Sequence, residues 1–145
     1  MNPTTPTRIL GVATAAYGAV VTVWPAILLR PSGLGTGAEP ELRTLARSVA
    51  LRDVISGIAL ATASGRHARA VAAVVRIGSD AADTVVFGHA LKGRPERGKT
   101  LAVTSAWGLL CLAAVVYERS GSLVRDADRR YGPRHRAAYT IIERE

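Results

Sequence analysis

Six charged residues stand inside apolar stretches of this chain, in two sets of three: Arg47, Arg52 and Asp53, then Arg76, Asp80 and Asp83. Carboxylates and guanidiniums in such a setting can do two kinds of work. An aspartate with a free oxygen can serve as general acid or base, and a neighbouring arginine can stabilise developing negative charge. Fully paired, the same groups do no chemistry and only fix the register of the helices that carry them. A dry, closed cluster would be structural. A hydrated one with a spare carboxylate could move protons or hold a polar headgroup.

Spacing shows how the groups can meet. Arg76, Asp80 and Asp83 fall at i, i+4 and i+7, one stripe of a helix, with Thr84 beside it and Phe87 below. Ser48, Arg52 and Ser56 align on the other segment, with Asp53 about 100° further round. The glycine turn Ser64-Gly65-Arg66 lies between the two sets. In an antiparallel hairpin about residue 65, residues equally far from the turn lie at one height. Arg47 then meets Asp83, Arg52 meets Asp80, Asp53 meets Arg76, and the six charges cancel.

The elements that must position these groups are four apolar segments, residues 9–29, 42–63, 68–91 and 100–117. The first and last are uncharged and near the ~20 residues that a bilayer requires. The middle two carry the six charges. Connections at 31–40, 64–67 and 92–99 are short, which favours antiparallel neighbours. The expected fold is all-α: a four-helix transmembrane bundle of up-down topology over residues 1–118, followed by a basic, polar cytoplasmic tail over 119–145. The tail reads as two weak helical stripes broken at Gly132-Pro133. Its arginines at 125, 129, 130, 134 and 136 either meet anionic lipid headgroups or are solvated beside Asp126, Asp128 and Glu143. The first segment lacks a short apolar centre ending in a small-x-small cleavage site and instead continues through Trp24-Pro25 to Arg30-Pro31, so it reads as a retained span.

Charge placement supports the same architecture. The net charge of +8 sits mostly in connections and tail, as membrane proteins distribute it. No nucleic-acid motif accompanies it, so nucleic acid is not an expected partner. The arginine count places both termini in the cytoplasm of a multi-pass cell-membrane protein, although the 92–99 connection pulls the other way. Trp24 and Tyr117 stand where interfacial anchors stand; Tyr17 and Trp107 lie deeper, facing partner helices. Small residues (Gly11, Ala15, Gly18 or Ala19, and Thr22; Gly57 and Ala61; Ser105 and Gly108) form strips along which helices can approach in lipid.

Other chemistry is thinly represented. His89 has no second ligand at i+3 or i+4, and Asp80 with Asp83 has Arg76 one turn away, so no metal site is expected. Cys111 is alone and reads as a small core residue. No Ser-His-Asp set, phosphate loop or metal motif is present, and no cofactor is expected.

The pattern Arg52-Asp53-x-x-x-Gly57, followed by Arg76 and Asp80, resembles the small four-helix integral membrane proteins of actinobacteria catalogued as domains of unknown function. The resemblance covers residues 9–117. It implies a four-span bundle with polar groups in spans two and three, and it brings no activity with it.

Two functions remain open. In one, the protein is a binding or accessory membrane protein whose cluster Arg47, Arg52, Asp53, Arg76, Asp80 and Asp83 holds the fold or receives a headgroup. In the other it is a membrane enzyme, an isomerase or cyclase acting on a lipophilic molecule, with Asp80 or Asp53 as acid or base and Arg52 or Arg76 stabilising charge. Partners in either case are lipid and a lipophilic small molecule; a third option, a proton-coupled transporter, would need further copies of the chain, since four short spans are too few to build a path. A cavity beside Asp80, lined by Tyr17, Trp107 and Phe87, would favour the enzyme; tight closure would favour the first.

Overall fold

The computed structural model describes the backbone of residues 5–142 and the side chains of residues 5–123. The described residues form helices joined by short connections, with no strand: α1 (Pro6–Val23), α2 (Ala26–Leu29), α3 (Pro40–Thr62), α4 (Arg66–Ala90) and α5 (Arg97–Ile142). The chain divides into two compact units, residues 1–115 and 116–145. The first holds the packed helices and every group of the candidate site. The second is the continuation of α5.

Helix boundaries follow local chemistry. Proline opens α1 and α3 within their first two positions, where its missing N–H would have no partner anyway. The apolar run 9–29 is not one helix. Trp24 N–H closes α1 on the Val20 carbonyl at 2.9 Å, and Pro25, lacking an N–H, cannot continue the ladder. The four-residue α2 follows as a separate turn. Gly65, at φ +87°, makes the turn into α4 in a conformation that side chains disfavour. At the other extreme α5 runs through Gly132-Pro133 without the expected break. Proline removes one helical hydrogen bond, but its fixed φ remains helical. The expected lipid or solvent contacts of the tail arginines lie outside the described side chains.

Helices α1 and α3 pack antiparallel, backbone against backbone. A Cβ placed on Gly11 would stand 2.6 Å from Ala61 N, and one on Gly57 would stand 2.6 Å from both Ala15 N and Gly11 O. Gly18 approaches Ala50 and Val54 as closely. These are residues of the small strips read from the sequence. Between α3 and α4, Leu60 packs on Ala72 and Ala73, with Val115 of α5 against them. Helices α4 and α5 meet through Thr84 Oγ1 and Thr104 Oγ1 at 3.0 Å, and through Gly108 beside Asp80. Trp107 Nε1 donates to Thr14 Oγ1 at 3.0 Å, which brings α5 to α1.

Burial is inverted relative to a water-soluble bundle. Arg76 is 2% exposed and Asp80 4%, while Val85 is 72%, Val74 68%, Leu109 63% and Ile55 61% exposed. By length and composition, α1 and residues Arg97–Leu123 of α5 can cross a membrane. Helices α3 and α4 do not meet that criterion; their charged residues lower the apolar content of segments that otherwise carry an apolar exterior.

The connections between α2 and α3 and between α4 and α5 meet at one end of the bundle, where Arg94 donates to the Gly33 carbonyl. The first of them is organised by Glu39. Its carboxylate accepts from the Thr36 hydroxyl at 2.9 Å, the Thr36 amide at 3.3 Å and the Gly37 amide at 3.1 Å. Bonds from its own amide first, then from Thr36, hold its pKa below the ordinary 4.5. A lowered folded pKa gives stability that is present above the unfolded value and lost as pH falls through the folded one. Hydrogen exchange at the Thr36 and Gly37 amides, taken relative to the intrinsic rate at each pH, should therefore become faster as pH falls through the lowered Glu39 pKa. In Glu39→Gln it should be fast already at neutral pH. An acid response that survives in that variant would assign the effect to another group.

Candidate functional site

Five of the six predicted charges come together where α3 faces α4. Arg76, on α4, is the hub. Its Nη1 donates to Asp53 Oδ1 at 2.6 Å and to Ser56 Oγ at 3.2 Å, its Nε donates to Asp80 Oδ2 at 3.1 Å, and its Nη2 donates to Asp80 Oδ1. Arg52 forms a fork with Asp83, at 2.9 Å to Oδ1 and 2.6 Å to Oδ2, and also reaches Asp53 Oδ1 at 3.0 Å. One oxygen of Asp53 thus serves two guanidiniums.

The hairpin register requires the pair Asp53–Arg76, and that pair forms. The other two do not. Arg52 reaches past the level of Asp80 to Asp83, because Arg76 already occupies both Asp80 oxygens from one turn below on the same helix. With Asp83 taken, Arg47 is an exposed side chain whose Nε donates to the Thr22 carbonyl at 3.2 Å. The expected cancellation of charge is lost with it. Three carboxylates face two guanidiniums, and the cluster carries one excess negative charge.

That excess has a location. Both oxygens of Asp80 and both of Asp83 accept from arginine. Asp53 uses Oδ1 alone, so its Oδ2 has no hydrogen-bond donor among the described residues.

Above the cluster lies a cavity of about 330 Å³. Asp53, Arg76, Asp80 and Asp83 form its polar floor; Tyr17, Phe87 and Trp107 line it, as do Val21 and Val103. This is the cavity beside Asp80 whose presence separates the two functional readings. Its size is at the lower end of ligand pockets. At the far end stand Lys99 and Thr100, with Pro31 and Ser32 following α2. Seven residues of α5 separate Thr100 from Trp107, so the cavity extends over ~10 Å along the helix.

Sequence reasoning reached the floor and three walls of this cavity, and missed Thr14, Lys99 and Thr100. Thr14 had a signal: it is a polar residue between Gly11 and Gly18 on the packing strip of α1. Lys99 and Thr100 had none, since the end of a charged connection looks solvated. His89 is exposed, and Cys111 is buried with no disulfide partner.

Comparison with family models, curated proteins and solved structures gives no match.

Proposed function

We propose that this chain is a four-span protein of the cell membrane that binds a small lipophilic molecule in the cavity between its helices. The cavity over a charged floor is the observation that carries the reading. The inverted burial supports the membrane: water-soluble monomers rarely expose contiguous apolar surface of this extent. Several Ser and Thr hydroxyls on α1, α3, α4 and α5 also bond carbonyls four residues back, Thr14, Thr22, Ser48, Thr84 and Thr104 among them. Polar side chains use that bond where no water is available. Each central charge costs ~2.5–3.5 kcal/mol in a membrane on the translocon scale, and the arginine forks offset it. In this reading α3 and α4 cross as spans because their charges face inward, and both termini are cytoplasmic.

After high-salt and alkaline washing the protein should stay in the membrane fraction. Release into the soluble fraction would end the membrane reading. Purified protein should carry a lipophilic molecule detectable by native mass spectrometry, and Val103→Trp, which fills the cavity from an exposed position on α5, should release it.

The cavity also favours the enzyme reading by the criterion set above. Acid–base work then falls to Asp53 rather than Asp80, because Asp53 alone keeps an oxygen free of arginine. Asp80 and Arg76 would hold Asp53 in place, with Arg52 as second counter-charge. An isomerase or cyclase of this design loses turnover in Asp53→Asn while still binding its ligand.

A further inference from the structure

We propose that the cavity is selective for an amphiphile with two polar ends: an ammonium or similar cationic donor at Asp53, and a hydrogen-bond acceptor or anion at Thr100 and Lys99. The inference rests on the binding reading above and adds the ligand class.

Two independent observations carry it. At the floor, three carboxylates share two guanidiniums, and Asp53 Oδ2 is the acceptor left over. An uncompensated charge in an apolar bundle must be neutralised, and a cationic donor on that oxygen does so by a charge-assisted hydrogen bond. At the other end, Thr100 is 8% exposed and its hydroxyl has no hydrogen-bond partner among the described residues, although it lines the cavity. A buried hydroxyl without a partner costs free energy that a ligand atom can recover. Lys99, next to it and exposed, puts a positive charge at the same mouth. The walls between are apolar: Val21, Phe87 and Val103. Gly108 of α5 lies beside Asp80 of the floor, eight positions or ~12 Å along the helix from Thr100, about the reach of an eight-carbon chain with a polar group at each end. A cation outward and an anion inward would place like charges together at both ends, so the polarity of the ligand is set.

Trp107 lines the cavity and reports on it. The chain has two tryptophans, so a Trp24→Phe background leaves Trp107 as the only source of indole fluorescence. In lipid nanodiscs, octanol, octylamine, octanoate and ω-aminooctanoate would be titrated at matched bilayer concentrations. Octylamine should bind at least about tenfold more tightly than octanol, and octanoate more weakly than octanol. ω-Aminooctanoate should bind more tightly than octylamine, and Thr100→Val should reduce that advantage several-fold while leaving octylamine unchanged. These arms need no change in the charge cluster, so misfolding does not confuse them. Asp53→Asn, which keeps an oxygen for the arginines, should remove the preference for the amine.

Octanol binding with no preference for octylamine would overturn the selectivity and leave the cavity reading standing; a proton would then neutralise Asp53. Failure of all four probes to alter Trp107 fluorescence would overturn both. An advantage for ω-aminooctanoate that is unchanged in Thr100→Val would remove the mouth from the proposal.

Discussion

Arg76→Ala is expected to destabilise the protein by about 3–5 kcal/mol, the usual cost of removing one partner from a buried charge pair. The change strips Asp80 of both its donors and Asp53 of one, so two carboxylates lose compensation at once. Thermal unfolding in detergent would measure it. Double-mutant cycles separate the pairs. Arg76 with Asp80, Arg76 with Asp53, and Arg52 with Asp83 should each show coupling, the double variant being less harmful than the two single changes added. Arg47 with Asp83 should be additive, because Arg47 bonds the Thr22 carbonyl instead. Arg52 with Asp80 should be nearly so. Coupling in those last two pairs, with Arg76–Asp53 coupled and Arg76–Asp80 and Arg52–Asp83 additive, would restore the simple hairpin register and remove the excess charge on which the proposed ligand preference depends. Arg52→Ala should cost less than Arg76→Ala, since the Arg52 side chain is 34% exposed and that of Arg76 2%.

The contrast between these pairs shows what the sequence could and could not disclose. Helical spacing puts Arg76, Asp80 and Asp83 on one stripe, and Gly65 turns α3 back toward α4; both are local facts and both hold in the structure. Which arginine takes which aspartate is not local. A guanidinium on a long flexible stem reaches more than one turn along a neighbouring helix, so equal distance from the turn does not decide the pair. The internal choice of Arg76 for Asp80 then displaces Arg52 onto Asp83. The excess negative charge is a consequence of that displacement and was invisible beforehand. The helix limits show a similar division. Pro25, which has no N–H to continue the ladder, follows directly on the end of α1. Gly132-Pro133, an equally strong local signal, does not end α5. The cavity was legible only as a question, because Tyr17, Phe87 and Trp107 lie on three different helices. Whether they close on one another depends on how near those helices come.

That distance is set where α1 crosses α3, and Gly57→Val there should have an effect as large as any in the charge cluster. The Cβ of any residue at 57 would lie 2.6 Å from Ala15 N and from Gly11 O. Both atoms belong to helical backbone and cannot rotate away, so the whole of α1 must withdraw from α3. Overpacking in a core costs ~1–3 kcal/mol when side chains can adjust; here they cannot, and the loss should reach or exceed the top of that range. Gly57→Ala should already be harmful. Gly11→Ala meets Ala61 N and Gly57 O at comparable distances. Once one substitution has separated the helices, the second has less to disrupt, so the pair should cost less than the sum of the two. Gly78→Ala is the control. It lies within α4, a Cβ there meets no described atom within 4 Å, and replacing a helical glycine should stabilise by ~0.5–1 kcal/mol. The effect of Gly57→Val extends to the cavity. Helix α1 carries Thr14 and Tyr17 into the cavity, and its withdrawal breaks the bond from Trp107 to Thr14. Trp107 fluorescence should therefore shift in Gly57→Val and stay fixed in Gly78→Ala. An unshifted Trp107 in a folded Gly57→Val protein would mean that the crossing of α1 on α3 does not set the width of the cavity.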